Sequence, residues 1–202
     1  EQRQLFAFRL YRYSRVLDSN TLVIQRENSD SVWRAGGKPF ITPPADELIA
    51  KGFVQRSANG ELYYAPDAEV LLSDSFLDTH CFTLEPARDE RPGLVGLAFR
   101  PVGGRDVTDV EGVLWLDTRS AELRHLEFRY AGLRFPAYMD VTRSGFGGRL
   151  DFERLPTGAW IIRRWRIRGP IREAVGGYSA RAVQEEGGVV VRIFARRDRG
   201  SS

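Results

Sequence analysis

Residues 111–130 read EGVLWLDTRSAELRHLEFRY, and this stretch decides the fold class. In its second half Leu126, Phe128 and Tyr130 alternate with Glu127 and Arg129. A period of two is typical of a β-strand with one buried face and one wet face. The polar residues 117–122 between the two halves are typical of a turn. The stretch therefore predicts two antiparallel strands joined by a short turn.

Similar strand and turn patterns recur along the chain. Asn59-Gly60, the strongest short hairpin signal, separates two of the predicted strands. The predicted strand pairs are 5–17 with one or two returning strands at 21–25 and 31–34, 53–54 with 62–64, 76–84 with 94–99, 147–154 with 159–168, and 178–183 with 189–194. The last pair places a turn at residues 185–188. Consecutive hairpins of this kind predict a β-meander.

One short helix is predicted between Thr42 and Phe53. Thr42 is suited to cap it, Pro43 suits its first turn, and Gly52 is suited to close it. The acidic and basic residues within it also fall at the favourable ends of the helix dipole. We expect it to dock on the sheet through Leu48, Ile49 and Phe53.

These patterns predict a mainly β protein with a single large, curled antiparallel sheet, an open or partial β-barrel around the short helix. A parallel sheet would need several helical crossovers. A two-sheet β-sandwich remains the alternative because it gives the same strand spacing. With 202 residues, 42% of them hydrophobic, we expect one β-rich domain over 1–202, in which 171–202 form a C-terminal hairpin and tail.

Composition excludes several classes of protein. The longest apolar runs fall far short of the ~20 residues of a membrane-spanning helix, so no transmembrane helix is expected. The net charge is +3, and arginines are interspersed with acidic residues, which argues against nucleic acid as a partner. Cys81 is the only cysteine, so no internal disulfide is expected. Because the chain starts at Glu1 without a signal segment, we expect a processed chain or part of a longer one.

A few residues have side chains suited to catalysis. If residues 76–84 form a strand, Asp78 and His80 share one face and Cys81 points to the other, which argues against a Cys81–His80 nucleophile pair. Asp78, His80 and His125 are the candidate ligands of a catalytic zinc ion. The simpler interpretation is a buried, hydrogen-bonded His80 and a small apolar Cys81 in the core. We expect no catalytic site, no metal and no cofactor.

Two further segments invite a binding function. Residues 160–168, WIIRRWRIR, resemble a platform for single-stranded nucleic acid, but Asp151 and Glu153 are placed to pair with Arg163 or Arg166 across strands. Anionic lipid head groups or acidic glycans suit this basic strand better. The aromatic loop 132–148 is either a flap over the sheet or a loop packed on its edge. Within it, residues 145–149 lack a phosphate-binding fingerprint and predict a turn.

Four segments carry a resemblance to a known family: residues 63–82, 93–101, 112–117 and 152–160. They resemble the region downstream of the β-sandwich in bacterial, Gemmatimonadota-type, carboxypeptidase regulatory-like domain-containing envelope proteins, over about residues 5–170. The resemblance implies a periplasmic or secreted parent protein. It implies no carboxypeptidase activity, because the β-sandwich itself would precede Glu1. The hairpin at 111–130 is also similar to the half-barrels of bacterial lipoprotein carriers.

The leading functional hypothesis is a noncatalytic cell-envelope module. Its concave sheet face would bind an apolar ligand, a lipid or a segment of an envelope protein partner. The aromatic residues expected to contact this ligand are Trp115, Phe128, Tyr130, Tyr138, Trp160 and Trp165. One alternative is a purely structural or interaction domain of a larger secreted protein. The other is a hydrolase or metal-dependent enzyme that uses Asp78, His80 and His125.

Overall fold

The computed structural model describes residues 6–57, 60–85, 91–133, 145–156, 158–173 and 177–195. Within them the protein is mainly β, as predicted: one antiparallel sheet of nine strands that does not close into a barrel, a two-stranded sheet and three short helices. The elements are β1 (Phe6–Asp18), β2 (Ile24–Ala35), α1 (Ala45–Lys51), β3 (Val54–Ser57), β4 (Gly60–Tyr63), α2 (Ala68–Leu71), α3 (Asp74–Thr79), β5 (His80–Glu85), β6 (Leu94–Pro101), β7 (Asp109–Asp117), β8 (Leu123–Ala131), β9 (Gly147–Arg154), β10 (Trp160–Glu173) and β11 (Gly177–Ala195).

The strand order of the large sheet is β2-β1-β11-β10-β9-β8-β7-β6-β5. Strands β5 to β10 form a meander as predicted, and β11, which was predicted as two strands, continues it as one strand beside β10. The β1–β2 hairpin was also predicted, but its place beside β11 was not, because no local pattern records a pairing between distant strands. The Asn59-Gly60 signal corresponds to the β3–β4 hairpin, in which Ser57 faces Gly60. That hairpin forms the small separate sheet.

The C-terminal strand corrects one prediction. The turn expected at 185–188 is wrong, because β11 runs without interruption through these residues. A Cβ atom at Gly187 would lie 2.4 Å from the ring of Tyr13, and one at Gly188 would lie 2.3 Å from the ring of Trp165. These two glycines therefore make room for aromatic rings on neighbouring strands and do not form a turn. The C-terminal hairpin consists of β10 and β11.

Two predictions about the helical segments also differ from the structure. Residues 76–79, predicted as the start of a strand, belong to α3, where the Ser73 hydroxyl accepts a hydrogen bond from the Phe76 amide at 3.2 Å. Such N-capping is a helix signal that the strand interpretation overlooked. Helix α1 begins at Ala45, later than predicted. Thr42 does not cap it, because its hydroxyl donates to the carbonyl of Ala65 at 2.9 Å.

The segment from Gly36 to Thr79, here called the cover, packs on one face of the large sheet, here called the inner face. Leu126 and Leu150 lie opposite each other on this face and are fully buried. The cover contributes Leu48, Phe53 and Phe76, which are also fully buried in the same core. As predicted, α1 docks through Leu48, Ile49 and Phe53. The chain itself therefore fills the centre of the inner face.

The opposite, outer face of the sheet is polar and carries rows of ion pairs across the strands. In one row Arg15 contacts Glu27 at 2.7 Å and Glu185 at 3.5 Å, and Arg168 contacts Glu185 at 2.6 Å. The predicted pairing of β9 with β10 includes the Arg163–Glu153 contact at 3.4 Å. The arginines of these rows are therefore engaged within the sheet. Among the described residues, no helix is long and apolar enough to cross a membrane.

Candidate functional site

A cavity of about 280 Å³ lies between the inner face and the cover, near the end of the sheet formed by β1, β10 and β11. Leu10, Trp165 and Ile167 line it from the sheet. Phe40 and Tyr63 line it from the cover. Its walls are mostly apolar and aromatic, which is typical of sites for small organic ligands.

An open cleft of about 430 Å³ adjoins the cavity, and Arg12, Trp165 and Glu186 line both. The cleft adds the polar residues Ser14, Asn28, Ser29 and Asp30. We call the cavity and the cleft together the groove. It is apolar at its deep end, under the cover, and polar at its open end, beside the edge strand β2.

A smaller cavity of about 170 Å³ lies on the other side of Phe40. Trp160, which is 40% exposed, stands at its rim, and Ile162 lines it. Lys38 is at the same rim, where its ammonium group contacts Asp67 at 3.0 Å. Phe40 is buried and separates this cavity from the groove, with its ring 5.5 Å from that of Trp165 in an edge-on contact.

Tyr63 forms a fixed part of the groove wall. Its hydroxyl lies 2.6 Å from the carboxylate of Glu61 and 3.1 Å from the carbonyl oxygen of Pro170. Burial and the neighbouring Glu61 carboxylate raise the pKa of Tyr63 far above its usual value. Its ring packs edge-on against Tyr130 at 5.5 Å. The phenol therefore stays neutral and anchors the β3–β4 hairpin to β10.

The aromatic residues that were predicted to contact a ligand do not lie together in one site. Trp165 lines the groove and Trp160 the smaller cavity. Phe128 and Tyr130 are buried in the core beneath the cover, and the Tyr130 hydroxyl donates to the carbonyl of Tyr64 at 3.0 Å. Two others lie elsewhere. Trp115 is on the outer face, opposite His125, and Tyr138 lies outside the described residues.

His80 is buried and hydrogen-bonded, as the simpler interpretation predicted. Its Nδ1 lies 2.9 Å from the carbonyl of Phe76, and its Nε2 lies 3.2 Å from the carboxylate of Asp109. Each ring nitrogen of His80 therefore lies beside an oxygen atom that can accept a hydrogen bond. Arg105 contacts the same carboxylate at 2.7 Å. This cluster fixes α3 against β7 and lines none of the cavities described above.

The Asp109 carboxylate is charged in this cluster. Burial acts to raise its pKa, but the hydrogen bond from His80, the backbone N–H of Val110 and the charges of His80 and Arg105 outweigh burial. The pKa of Asp109 is therefore held below its usual value. The Thr79 hydroxyl lies 3.2 Å from His80 but donates to the carbonyl of Ser75 at 2.7 Å. The Thr79 hydroxyl therefore bonds within its own helix, α3.

His125 belongs to a separate cluster on the outer face. Its ring stacks on Trp115, and its Nε2 lies 3.3 Å from the guanidinium group of Arg91. Burial, with the charge of Arg149, holds the pKa of His125 below its usual value, although Glu127 opposes this. His80 faces the inner side of the sheet, so the sheet separates the two histidines.

The other candidate catalytic residues lie apart from both clusters. Asp78 is exposed on α3 and does not share a strand face with His80, so the geometry expected from a strand is wrong. Cys81 is exposed on the outer face, which corrects its prediction as a core residue. Across the described ranges, no group of three or more histidine, cysteine, aspartate or glutamate side chains is placed to hold a metal ion.

The sequence interpretation missed the residues of the groove apart from Trp165. Phe40 lies in a connection that showed no periodic pattern, and Leu10 looked like an ordinary strand residue. The polar end of the groove forms because β1 lies beside β11. No short sequence pattern predicts that pairing, since the two strands are far apart in the chain. A usable signal was present in Gly187-Gly188, since paired glycines within a strand indicate close approach of neighbouring groups.

Comparisons of this chain with protein families, curated proteins and solved structures find no match. The proposals below therefore rest on the geometry of the chain and on the sequence resemblance given above.

Proposed function

We propose that this chain is a noncatalytic module that binds an apolar ligand in the groove of its inner face. The observation that carries the proposal is the cavity of about 280 Å³, lined by Trp165 and Phe40 among others, which the side chains of the described residues leave unfilled. Apolar cavities of this kind take up apolar molecules because burying apolar surface is favourable. The neighbouring cleft provides a path from solvent.

The same proposal places the module in the periplasm or among secreted proteins of the bacterial cell envelope. This location rests on the resemblance of residues 63–82, 93–101, 112–117 and 152–160 to envelope proteins. An apolar ligand in that compartment is a lipid or the apolar segment of a protein partner. Of the aromatic residues expected to contact a ligand, Trp165 lines the groove, whereas Phe128 and Tyr130 belong to the core. We therefore propose a contact with Trp165 and none with Phe128 or Tyr130.

A second candidate function is a purely structural or interaction domain. The filled centre of the inner face favours it, because Leu48, Phe53 and Phe76 already occupy that region. In this case the groove would hold only solvent, and the domain would act through its surface within a larger protein.

Ligand capture distinguishes these two functions. The chain is expressed in a bacterial periplasm, purified without detergent and extracted for mass spectrometry, and the delipidated protein is titrated with the fluorescent apolar probe N-phenyl-1-naphthylamine. We expect a co-purified amphiphile and saturable binding of the probe. Absence of both a bound molecule and saturable probe binding would overturn the proposed function.

Matched variants locate the binding site. Gln184→Trp places a large side chain in the groove, which Gln184 lines from β11. Arg166→Trp places the same side chain on the outer face of neighbouring β10, where residue 166 is exposed. We expect the first variant to lose at least about tenfold in probe affinity and the second to keep it. Thermal unfolding confirms that both variants are folded, and an equal loss in both would count against the groove.

A further inference from the structure

The open end of the groove has a specific polar arrangement. On the inner face Ser14 lies opposite Asn28 on one side and Glu186 on the other. In the next row Arg12 lies opposite Asp30 and Gly188. Side chains directly opposite each other have Cβ atoms about 5 Å apart, so these groups form one compact surface.

Charges on this surface cancel. Arg12 forms two hydrogen bonds with Asp30, at 3.1 and 2.6 Å. Arg34, which lines the deep end of the groove, also lowers the pKa of Asp30 through its charge. Glu186 adds one further negative charge. Glu61 also lines the cavity, and its carboxylate contacts Arg172 at 3.4 Å. Three arginines and three carboxylates therefore leave the groove and its ion-paired neighbours without net charge, so neither an anionic nor a cationic group is favoured over the other.

Several polar groups at this end are free to bind a ligand. Among the described residues, the Ser14 hydroxyl, the Asn28 amide and the Glu186 carboxylate make no hydrogen bond or ion pair with the protein. All three residues are exposed, so their side chains are hydrated in the absence of a ligand. A ligand that replaces this water must offer both donors and acceptors. Hydroxyl groups do so, because each donates one hydrogen bond and accepts others.

We propose that the groove binds an amphiphile with an uncharged, hydroxyl-rich head group. The apolar chain occupies the deep end, against the side chains of Trp165 and Phe40 that line it, and the hydroxyl groups bind at Ser14, Asn28 and Glu186. The inference rests on the proposed function and specifies the ligand class of the same site. Glycosyl and glyceryl head groups share the required chemistry.

A series of amphiphiles with one common tail tests the inference. Octyl glucoside and monooctanoylglycerol carry uncharged hydroxyl-rich heads, octyl sulfate an anionic head, and octyltrimethylammonium a cationic head. Each is titrated into delipidated protein by calorimetry below its critical micelle concentration. We expect the two uncharged amphiphiles to bind at least about tenfold more tightly than both charged ones. The difference between the first two identifies a glycosyl or a glyceryl source.

Variants then assign the selectivity to the polar end. Ser14→Ala combined with Asn28→Ala is expected to weaken the uncharged amphiphiles by about tenfold and to leave the charged ones unchanged. Glu186→Lys is expected to reverse the preference toward octyl sulfate. Gln25→Ala, an exposed change on the same edge strand, is the control and is expected to have no effect.

The outcomes separate the two proposals. If no amphiphile of the series binds, the proposed apolar site itself is wrong. If all four bind with equal affinity, or a charged one binds best, the apolar site stands and the inference about the head group is overturned. Unchanged selectivity in both polar variants would also overturn it, because the head group would then lie elsewhere.

Discussion

The indole ring of Trp165 lies directly over Gly188, its cross-strand neighbour on β11, and fills the space that a side chain at 188 would need. This relationship sets the position of one wall of the groove. Gly188 also lies within β11, among residues where the sequence predicted a turn. The pair therefore contributes both to the sheet and to the candidate site.

Adding a methyl group at Gly188 is expected to be costly. In Gly188→Ala the new Cβ would meet the Trp165 ring at 2.3 Å, so the ring or the strand must move. Overpacking of this kind costs about 1–3 kcal/mol in free energy of unfolding. Urea unfolding measures the loss. Gly103→Ala is the control, because a Cβ there meets nothing within 4 Å. Equal stability of the two variants would show that the ring does not rest on Gly188.

The Asp109 cluster makes a second prediction. Asp109→Ala removes the carboxylate that lies 3.2 Å from His80 and 2.7 Å from Arg105, which leaves the largely buried Arg105 guanidinium group without its acidic partner. Removing one member of a buried ion pair costs about 3–5 kcal/mol. Asp106→Ala, an exposed neighbour, is expected to be neutral. A loss below about 1 kcal/mol by urea unfolding would show that the cluster is not a structural anchor.

The lowered pKa of His125 makes a prediction about pH. Burial and Arg149 disfavour its charged form, so the unfolded chain binds this proton more readily than the folded protein. The free energy of unfolding should therefore fall as the pH drops through about 6.5, the usual histidine value. Glu127 and Asp151 oppose the shift and Arg91 adds to it.

Two measurements check this expectation. An NMR titration should place the pKa of His125 below that of an unfolded peptide, with the signal assigned by its absence in His125→Gln. On acidification from about pH 7.5 to about pH 5, the native chain should lose more stability than His125→Gln. A larger loss in the variant would contradict the assigned direction.

The exposure of Cys81 makes a fourth prediction. A thiol in the core would react with Ellman's reagent only after unfolding, whereas an exposed thiol reacts in the native state. Because Cys81 lies on the outer face, we expect one thiol per chain to react without denaturant. The Cys81→Ser variant supplies the baseline. If the thiol reacted only in urea, Cys81 would be buried in the native protein and the prediction would be wrong.

Features that depend on residues close together in the sequence could be predicted, whereas features that depend on contacts between distant segments could not. Alternation such as Leu126, Phe128 and Tyr130 indicates which face is buried, so the meander of β5–β10 was predicted from the sequence, whereas β11 was predicted as two strands. The position of β1 beside β11 depends on contacts between distant segments, and the groove arises from it. Helix α3 was not predicted because residues 76–84 were interpreted as a strand, and the capping signal of Ser73 was overlooked.

The candidate site was predictable only in part. Trp165 was chosen for being aromatic on a strand, and the structure places it in the groove. Trp115 satisfied the same rule but lies on the outer face, since a shift of one residue reverses the direction of a side chain. Phe40 belongs to a connection, where periodicity gives no information. The face of a strand residue requires the register, which only tertiary pairing supplies.

The place of β11 between β1 and β10 determines the order in which the sheet can assemble. Strand β1 pairs with β11 along its whole length, from Phe6 opposite Ala195 to Asp18 opposite Ala182. The β1–β2 hairpin therefore has no sheet to join until β11 has been synthesised. Contacts so distant in sequence slow folding and leave strand edges unpaired in the meantime. We expect the nascent chain to depend on chaperones until β11 pairs with both β1 and β10 and so joins the β1–β2 hairpin to the other strands of the sheet.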